Sequence, residues 1–273
     1  MRTVKLAGNN VPAIGQGTWY MGEDPGSQHA EVAALQQGIE LGLTLIDSAE
    51  MYAEGGAEKV VGQAIKGRRE QVFLVSKVYP HNASRNGIPA ACERSLKRLG
   101  TEHIDLYLLH WRGQYPLEET VEAFERLREA GKIGRWGVSN FDVDDLRELH
   151  NLDCATNQVL YNPAQRGIEF DLLPWSHKRQ LPTIAYCPLA QAGRLLKHPT
   201  LIEIAERHGA TPAQVSLAWV IRQDGVIAIP KAVAPEHVRL NAAAASLTLS
   251  SEDLRAIDRA FPAPTRKQHL AMV

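Results

Sequence analysis

Two hydrophobic rhythms alternate along this chain. Short runs of apolar residues are separated by longer stretches in which apolar side chains recur every three or four positions. Runs at Ile14–Trp19, Leu43–Ile46, Val72–Val75, Ile104–Leu109, Ile133–Val138, Thr156–Tyr161, Pro182–Tyr186 and Val226–Ile229 read as strands buried on both faces. The intervening periods predict helices from Ser27 to Gly42, after Gly55-Gly56 (Val60, Val61, Ala64, Ile65), at 88–99 and 117–130, after Asp142, and at 200–209 and 212–223. Further helices are predicted from Pro235 and over Ser251–Ala260. Gly100 and Gly131 close two of them, Thr211-Pro212 opens another, and Ser250–Asp253 has the form of a cap. Two segments, 3–6 and 11–14, flank Gly8-Asn9-Asn10 and predict a hairpin that plugs the bottom of a barrel. Eight strands alternating with helices in 273 residues predict an α/β chain, a (β/α)8 TIM barrel with an N-terminal β-hairpin and two extra helices. Residues 1–273 are expected to form one domain. No Gly-x-Gly-x-x-Gly follows a strand, so a Rossmann dinucleotide fold is not supported.

Composition narrows the setting. A net charge of −1 gives no attraction to nucleic acid or to an anionic membrane. No apolar stretch is long enough for a membrane-spanning helix, and no signal segment is visible at the start. Cys92, Cys154 and Cys187 are few and far apart, and the ten histidines lack ligand spacing. A cytoplasmic chain without a disulfide framework or metal site is therefore expected.

The chemistry sits where the strands end. Leu43–Ile46 stops at Asp47, with Tyr52 five residues on. Val72–Val75 runs into Ser76-Lys77, and Ile104–Leu109 into His110-Trp111. Each has a bland reading alone: Asp47 as a helix cap, Lys77 and Tyr52 as surface or packing, His110 as a satisfied core residue. In a parallel barrel, however, successive strand ends share one face. A tyrosine is neutral at physiological pH and can donate a proton, and a nearby ammonium is expected to lower its pKa. Asp47 would keep Lys77 charged against burial, and a neutral His110 would orient a carbonyl oxygen. Together they suit carbonyl reduction by hydride transfer, with the hydride supplied by a cofactor.

Asp47-Ser48-Ala49-Glu50-Met51-Tyr52, Ser76-Lys77 and Leu108-Leu109-His110-Trp111 resemble the aldo-keto reductase superfamily. Within it the chain looks like a bacterial methylglyoxal-reductase-type member. The match runs from Gly15-Gln16-Gly17-Thr18-Trp19 to Ile229-Pro230-Lys231. The resemblance implies an NADPH-dependent barrel with Asp47, Tyr52, Lys77 and His110 as the catalytic tetrad. It implies cofactor contacts from Gly17, Thr18, Trp19 and Asp47, and from Ser139, Asn140 and Gln158 at the nicotinamide carboxamide. Tyr186 would stack on the nicotinamide, Pro188, Leu189 and Gln191 would cover the pyrophosphate, and Lys231 would meet the 2′-phosphate. Asn241 matches an adenine contact. Ala232 and His237 stand where relatives carry Ser and Arg, and Cys187 where most carry Ser, so NADH is expected to be accepted, though more weakly than NADPH. The substrate would be walled by Trp19, Tyr52, His110, Trp111 and Tyr79, although Tyr79 serves as well for packing. The short tail after Ala260 predicts an open pocket for small carbonyl compounds: 2-oxoaldehydes, aromatic aldehydes and, at the margin, keto sugars. A monomer is expected. Two other readings remain open at this point: a Schiff-base lyase using Lys77, and a non-catalytic NADPH-binding module.

Overall fold

The computed structural model describes residues 2–149 and 153–273. Strands β1 (Thr3–Leu6) and β2 (Asn9–Pro12) pair antiparallel, Leu6 opposite Asn9. The turn is therefore the two residues Ala7-Gly8, not Gly8-Asn9-Asn10. Both take positive φ, 51° and 84°, as a two-residue hairpin loop requires to match strand twist. Arg2 reaches Asp224 at 2.6 Å, just before the last barrel strand, which sets the hairpin at the N-terminal end of the barrel.

Eight parallel strands follow in sequence order: β3 (Gln16–Gly17), β4 (Leu45–Asp47), β5 (Phe73–Val78), β6 (Ile104–Leu109), β7 (Ile133–Ser139), β8 (Asn157–Leu160), β9 (Thr183–Tyr186) and β10 (Val226–Ala228). The edges meet through an Ile14–Ala228 bridge, with Gly15 N donating to Ala228 O at 2.8 Å and Gly17 N to Pro230 O at 3.0 Å. The sheet thus closes into the predicted barrel. The first strand is shorter than the apolar run suggested, and its Gln16 side chain faces the following helix. Its buried amide donates to Leu35 O (3.2 Å) and Leu43 O (2.9 Å), tying the strand to the following helix.

The helices are α1 (Gln28–Glu40), α2 (Gly56–Ala64), α3 (Gly87–Leu99), α4 (Leu117–Glu129), α5 (Val143–Glu148), α6 (Leu172–Lys178), α7 (Pro199–His208), α8 (Pro212–Val220), α9 (Pro235–Ala244) and α10 (Ser251–Ala260). Capping boxes open three of them: Asp142 with Asp145, Thr211 with Gln214, and Ser250 with Asp253. The pair α7–α8 between β9 and β10, and α10 after α9, supply the two helices beyond the repeat. Helix α6 has no counterpart in the sequence reading. Pro174 in its first turn is tolerated because the N–H it lacks would have no partner there, yet it breaks the visible period.

Gly17 sits on the closure seam. A Cβ there would lie 2.6 Å from the Ile229 carbonyl oxygen, a backbone atom that cannot rotate away. Gly17→Ala should therefore destabilise the chain by about 1–3 kcal/mol, lowering the thermal midpoint by roughly 2–10 °C. Thermal unfolding followed by circular dichroism checks this, and an unchanged midpoint would show that the seam relaxes.

Candidate active site

The strand ends β4 to β9 deliver their polar residues to one face. Asp47 is the last residue of β4, whereas Lys77 lies inside β5, one residue before its end. The chain leaving Asp47 keeps alongside β5, Ser48 N donating to Val75 O (2.9 Å) and Glu50 N to Lys77 O (3.2 Å). It then turns sharply through Tyr52, Ala53 (φ 49°), Glu54 (φ 52°) and Gly55 (φ 87°). This turn carries the Tyr52 hydroxyl back over Lys77. The loop bearing Trp19 presses on it from the other side, where Gly22 and Gly56 meet backbone to backbone. A Cβ on Gly22 would come within 2.4 Å of Gly56.

The three hydrogens of the Lys77 ammonium all have acceptors: Asp47 Oδ2 at 2.7 Å, Ser48 O at 2.8 Å and Tyr52 Oη at 3.3 Å. The second Asp47 oxygen accepts from Gln158 Nε2 at 2.7 Å, and Thr18 Oγ1 donates to the Asp47 carbonyl at 2.9 Å. Lys77 and Asp47 are buried, with side chains 0% and 2% exposed. Since the Tyr52 oxygen receives from Lys77, its own hydrogen is free to point away from the ammonium. Burial, reinforced by Asp47, pushes the Tyr52 pKa well above the ordinary phenol value. This corrects the sequence expectation of a lowered pKa: burial of the phenol, with the Asp47 charge beside it, sets the direction. Tyr52 accordingly keeps its proton at neutral pH. Burial lowers the Lys77 pKa, and Asp47 opposes that shift.

His110 follows β6, its ring edge-on to Tyr52 at 5.7 Å between centroids. Burial first, and the Lys77 charge second, lower its pKa well below 6.5, so the imidazole is neutral. Nδ1 is buried without a partner. The tautomer with its proton on Nε2 leaves Nδ1 an unmet acceptor, a milder defect than an unmet donor. Its N–H is then available on the cavity side.

These groups stand at the floor of a cavity of about 590 Å³, within the range of small-molecule sites. Gly17, Thr18, Trp19, Asp47, Tyr52, His110 and Trp111 line it, as do Ser139, Asn140, Gln158 and Tyr186. Pro188, Leu189, Gln191 and Lys231 continue the wall. Asn140 is held by Tyr186 Oη, which donates to its Oδ1 at 2.8 Å, and by its own donation to His110 O at 3.2 Å. Ser139 Oγ donates to Gln158 O at 2.9 Å. Lys231 is exposed and has no ion pair among the described residues. A cavity lined by the amide groups of Asn140 and Gln158 and by a lysine without an ion pair among the described residues fits a phosphorylated dinucleotide such as NADPH.

Five assigned residues lie off the cavity wall, among them Lys77, which is buried and donates to the Tyr52 hydroxyl. Tyr79 lies off that wall, its ring edge-on to Trp111 at 5.1 Å. Ala232, His237 and Asn241 also lie off that wall, with His237 exposed at the start of α9 and Asn241 buried in it. Conversely Tyr20, Met51, Cys187, Ala192, Ile229, Pro230, Met272 and Val273 line the cavity without having been assigned to it. Tyr20 stacks on Trp19 at 4.6 Å in a left-handed conformation (φ 68°) that nothing in the sequence signals. Burial pushes the Cys187 thiol up to about 11, so it is uncharged. The short tail was expected to leave the pocket open; instead its last two residues form part of the wall. Among the described residues no three His, Cys, Asp or Glu side chains gather as a metal site.

The neutral His110 has a consequence for stability. Its folded pKa lies below its unfolded value, so the unfolded chain takes up the proton first as pH falls below about 6.5. His110 thus destabilises the native chain increasingly under mild acid. His110→Gln should lose less thermal stability than the wild type between about pH 7.5 and about pH 5.5; parallel losses in calorimetry would contradict the assignment.

Comparison with known proteins agrees with this geometry. The sequence profile of the Aldo/keto reductase family matches residues 13–261. Methylglyoxal reductase YeaE of Escherichia coli is 57% identical over 281 aligned positions, covering 100% of this chain and 99% of that protein. Glyoxal reductase of Bacillus subtilis is 36% identical, covering 94% and 91%. A crystal structure of an aldo-keto reductase from Klebsiella pneumoniae in complex with NADPH superposes with a TM-score of 0.98 at 57% identity, covering 100% and 99%. With the family matched over most of its length and a relative matched end to end, this chain belongs to the aldo/keto reductase family.

Proposed function

We propose that the chain reduces small aldehydes and ketones, chiefly 2-oxoaldehydes such as methylglyoxal, with simple aromatic aldehydes and keto sugars as further substrates. The observation that carries this reading is the Tyr52 hydroxyl, 3.3 Å from the buried Lys77 ammonium at the floor of a cavity shared with His110. Ser139, Asn140, Gln158, Tyr186 and Lys231 would hold NADPH, which would supply the hydride when bound. Asn140 and Gln158 are pre-oriented by Tyr186 and Asp47, so their amide groups meet a carboxamide without reorganisation. The carbonyl oxygen lies between the Nε2–H of neutral His110 and the Tyr52 hydroxyl. As negative charge develops there, Tyr52 delivers its proton, and Lys77, already donating to the phenol oxygen, stabilises the phenolate left behind. Trp19 and Trp111 supply apolar walls that exclude water.

The Schiff-base alternative fails on geometry: every Lys77 hydrogen has an acceptor, the amine is fully buried, and it does not line the cavity. The three cysteines are free, which agrees with a reducing cytoplasm, and no described helix is long and apolar enough to cross a membrane.

Tyr52→Phe should reduce kcat for methylglyoxal by about 10²–10⁴-fold, the usual contribution of a general acid, while NADPH binding survives. Absorbance at 340 nm and fluorescence titration of NADPH measure the two. Near-normal turnover would remove Tyr52 as proton donor, and a wild type that binds NADPH without consuming it would point to a binding module. Lys231 should still favour NADPH over NADH. Ala232 and His237 forgo charge-assisted contacts of roughly 1.5–3 kcal/mol, so the margin should be about 10- to 100-fold smaller than in an Arg-bearing relative. Equal kcat/KM with both cofactors would refute the preference.

A further inference from the structure

After α10 the chain has no regular structure and is largely exposed, yet it travels back to the cavity. It is anchored twice. Near its start, Arg166 donates to the Phe261 carbonyl, and the Phe261 ring packs on His198 at 4.6 Å. Farther on, the Lys267 ammonium sits between Asp142 Oδ2 at 3.0 Å and Asp171 Oδ2 at 3.2 Å, with Asp144 at 4.0 Å. These carboxylates come from different barrel loops: Asp142 caps α5 after β7, and Asp171 precedes α6 after β8. Beyond Lys267, Gln268–Ala271 run along a small cleft shared with Asp142 and Asp171, and Met272 and Val273 then reach the wall of the main cavity.

We propose that Lys267, seated between Asp142 and Asp171, is an electrostatic latch that holds residues 268–273 in place, so that Met272 and Val273 act as a sieve on the carbonyl compounds admitted. The sieve rests on the reductase reading above; the latch does not. Three carboxylates face one ammonium, although Asp144 is itself paired with Arg147 at 2.8 Å, and Asp142 and Asp171 raise the Lys267 pKa above its ordinary value. The partners are 26–76% exposed, and such pairs are weak and screened by salt. The latch is therefore able to open, and its closed fraction should fall as ionic strength rises.

The test compares wild type, Lys267→Gln, Asp171→Asn and the charge-conserving Lys267→Arg, all as the full chain. Met272, labelled with a ¹³C methyl group and identified by its loss in Met272→Leu, reports the tail by methyl relaxation with no substrate present. Lys267→Gln and Asp171→Asn should give a narrow, mobile Met272 methyl signal, and high sodium chloride should do the same to the wild type. Lys267→Arg should keep the wild-type signal. In steady-state assays with NADPH, Lys267→Gln should raise the ratio of kcat/KM for 2-naphthaldehyde to that for methylglyoxal by roughly fivefold, mainly through KM. A Met272 signal indifferent to Lys267→Gln overturns the latch. A mobile tail with an unchanged substrate ratio overturns the sieve. If the wild type reduces neither aldehyde, the reductase reading fails and the sieve with it, and the methyl signal still decides the latch.

Discussion

The buried pair of Lys77 and Asp47 is the constraint around which the rest is arranged. Taking an ammonium and a carboxylate out of water costs several kcal/mol per ion unless every donor and acceptor is satisfied. Here the accounting is complete: Lys77 spends its hydrogens on Asp47, Ser48 and Tyr52, and Asp47 takes a further bond from Gln158. Those partners come from the loop after β4 and from β8, while Lys77 itself comes from β5. Closure of the barrel brings β8 to the same point as the neighbouring strands β4 and β5. The same satisfaction keeps Tyr52 in place without any contact to substrate.

Much of this could be read in the chain before the fold was known. Asp47, Lys77 and His110 mark strand ends because a charged or titratable residue in an apolar run has no packing reason to be there. Helix caps such as Asp142, Thr211 and Ser250 were legible because their partners lie three residues away. What stayed hidden depends on depth and on distant neighbours. The sign of the Tyr52 shift turns on how thoroughly it is buried and on Asp47, not on its nearest cation. Tyr79 and Trp111 compete for one wall, and which one faces the cavity is decided by packing. Met272 and Val273 reach the site only because the tail is carried across two loops, which no local pattern encodes. Gln16 looked like an ordinary strand residue, although its amide ties β3 to α1.

Backbone strain is distributed in the same way. Tyr20, Ala53, Glu54, Asn140, Cys187, Ala190, Gln191 and Ala192 all take positive φ in the loops leaving the strands, whereas only Ala7 and Gln180 do so elsewhere among the described non-glycine residues. Each such residue costs of order 1–3 kcal/mol in the less favourable cases and persists only where its surroundings determine it. The barrel meets that demand from below, through continuous parallel pairing of β3 to β10. Rigid strands thus allow loops of improbable shape to keep one conformation.

The contact between Gly22 and Gly56 extends this thought to how such a chain can change over generations. The breadth of the cavity between Trp19 and Tyr52 is gauged there by two bare backbones, with no side chain to trim or enlarge. Any replacement at that point acts as a wedge on both loops together, so it disturbs proton donor and wall at once. Variation in what this barrel accepts is thereby channelled toward positions that move independently of the phenol.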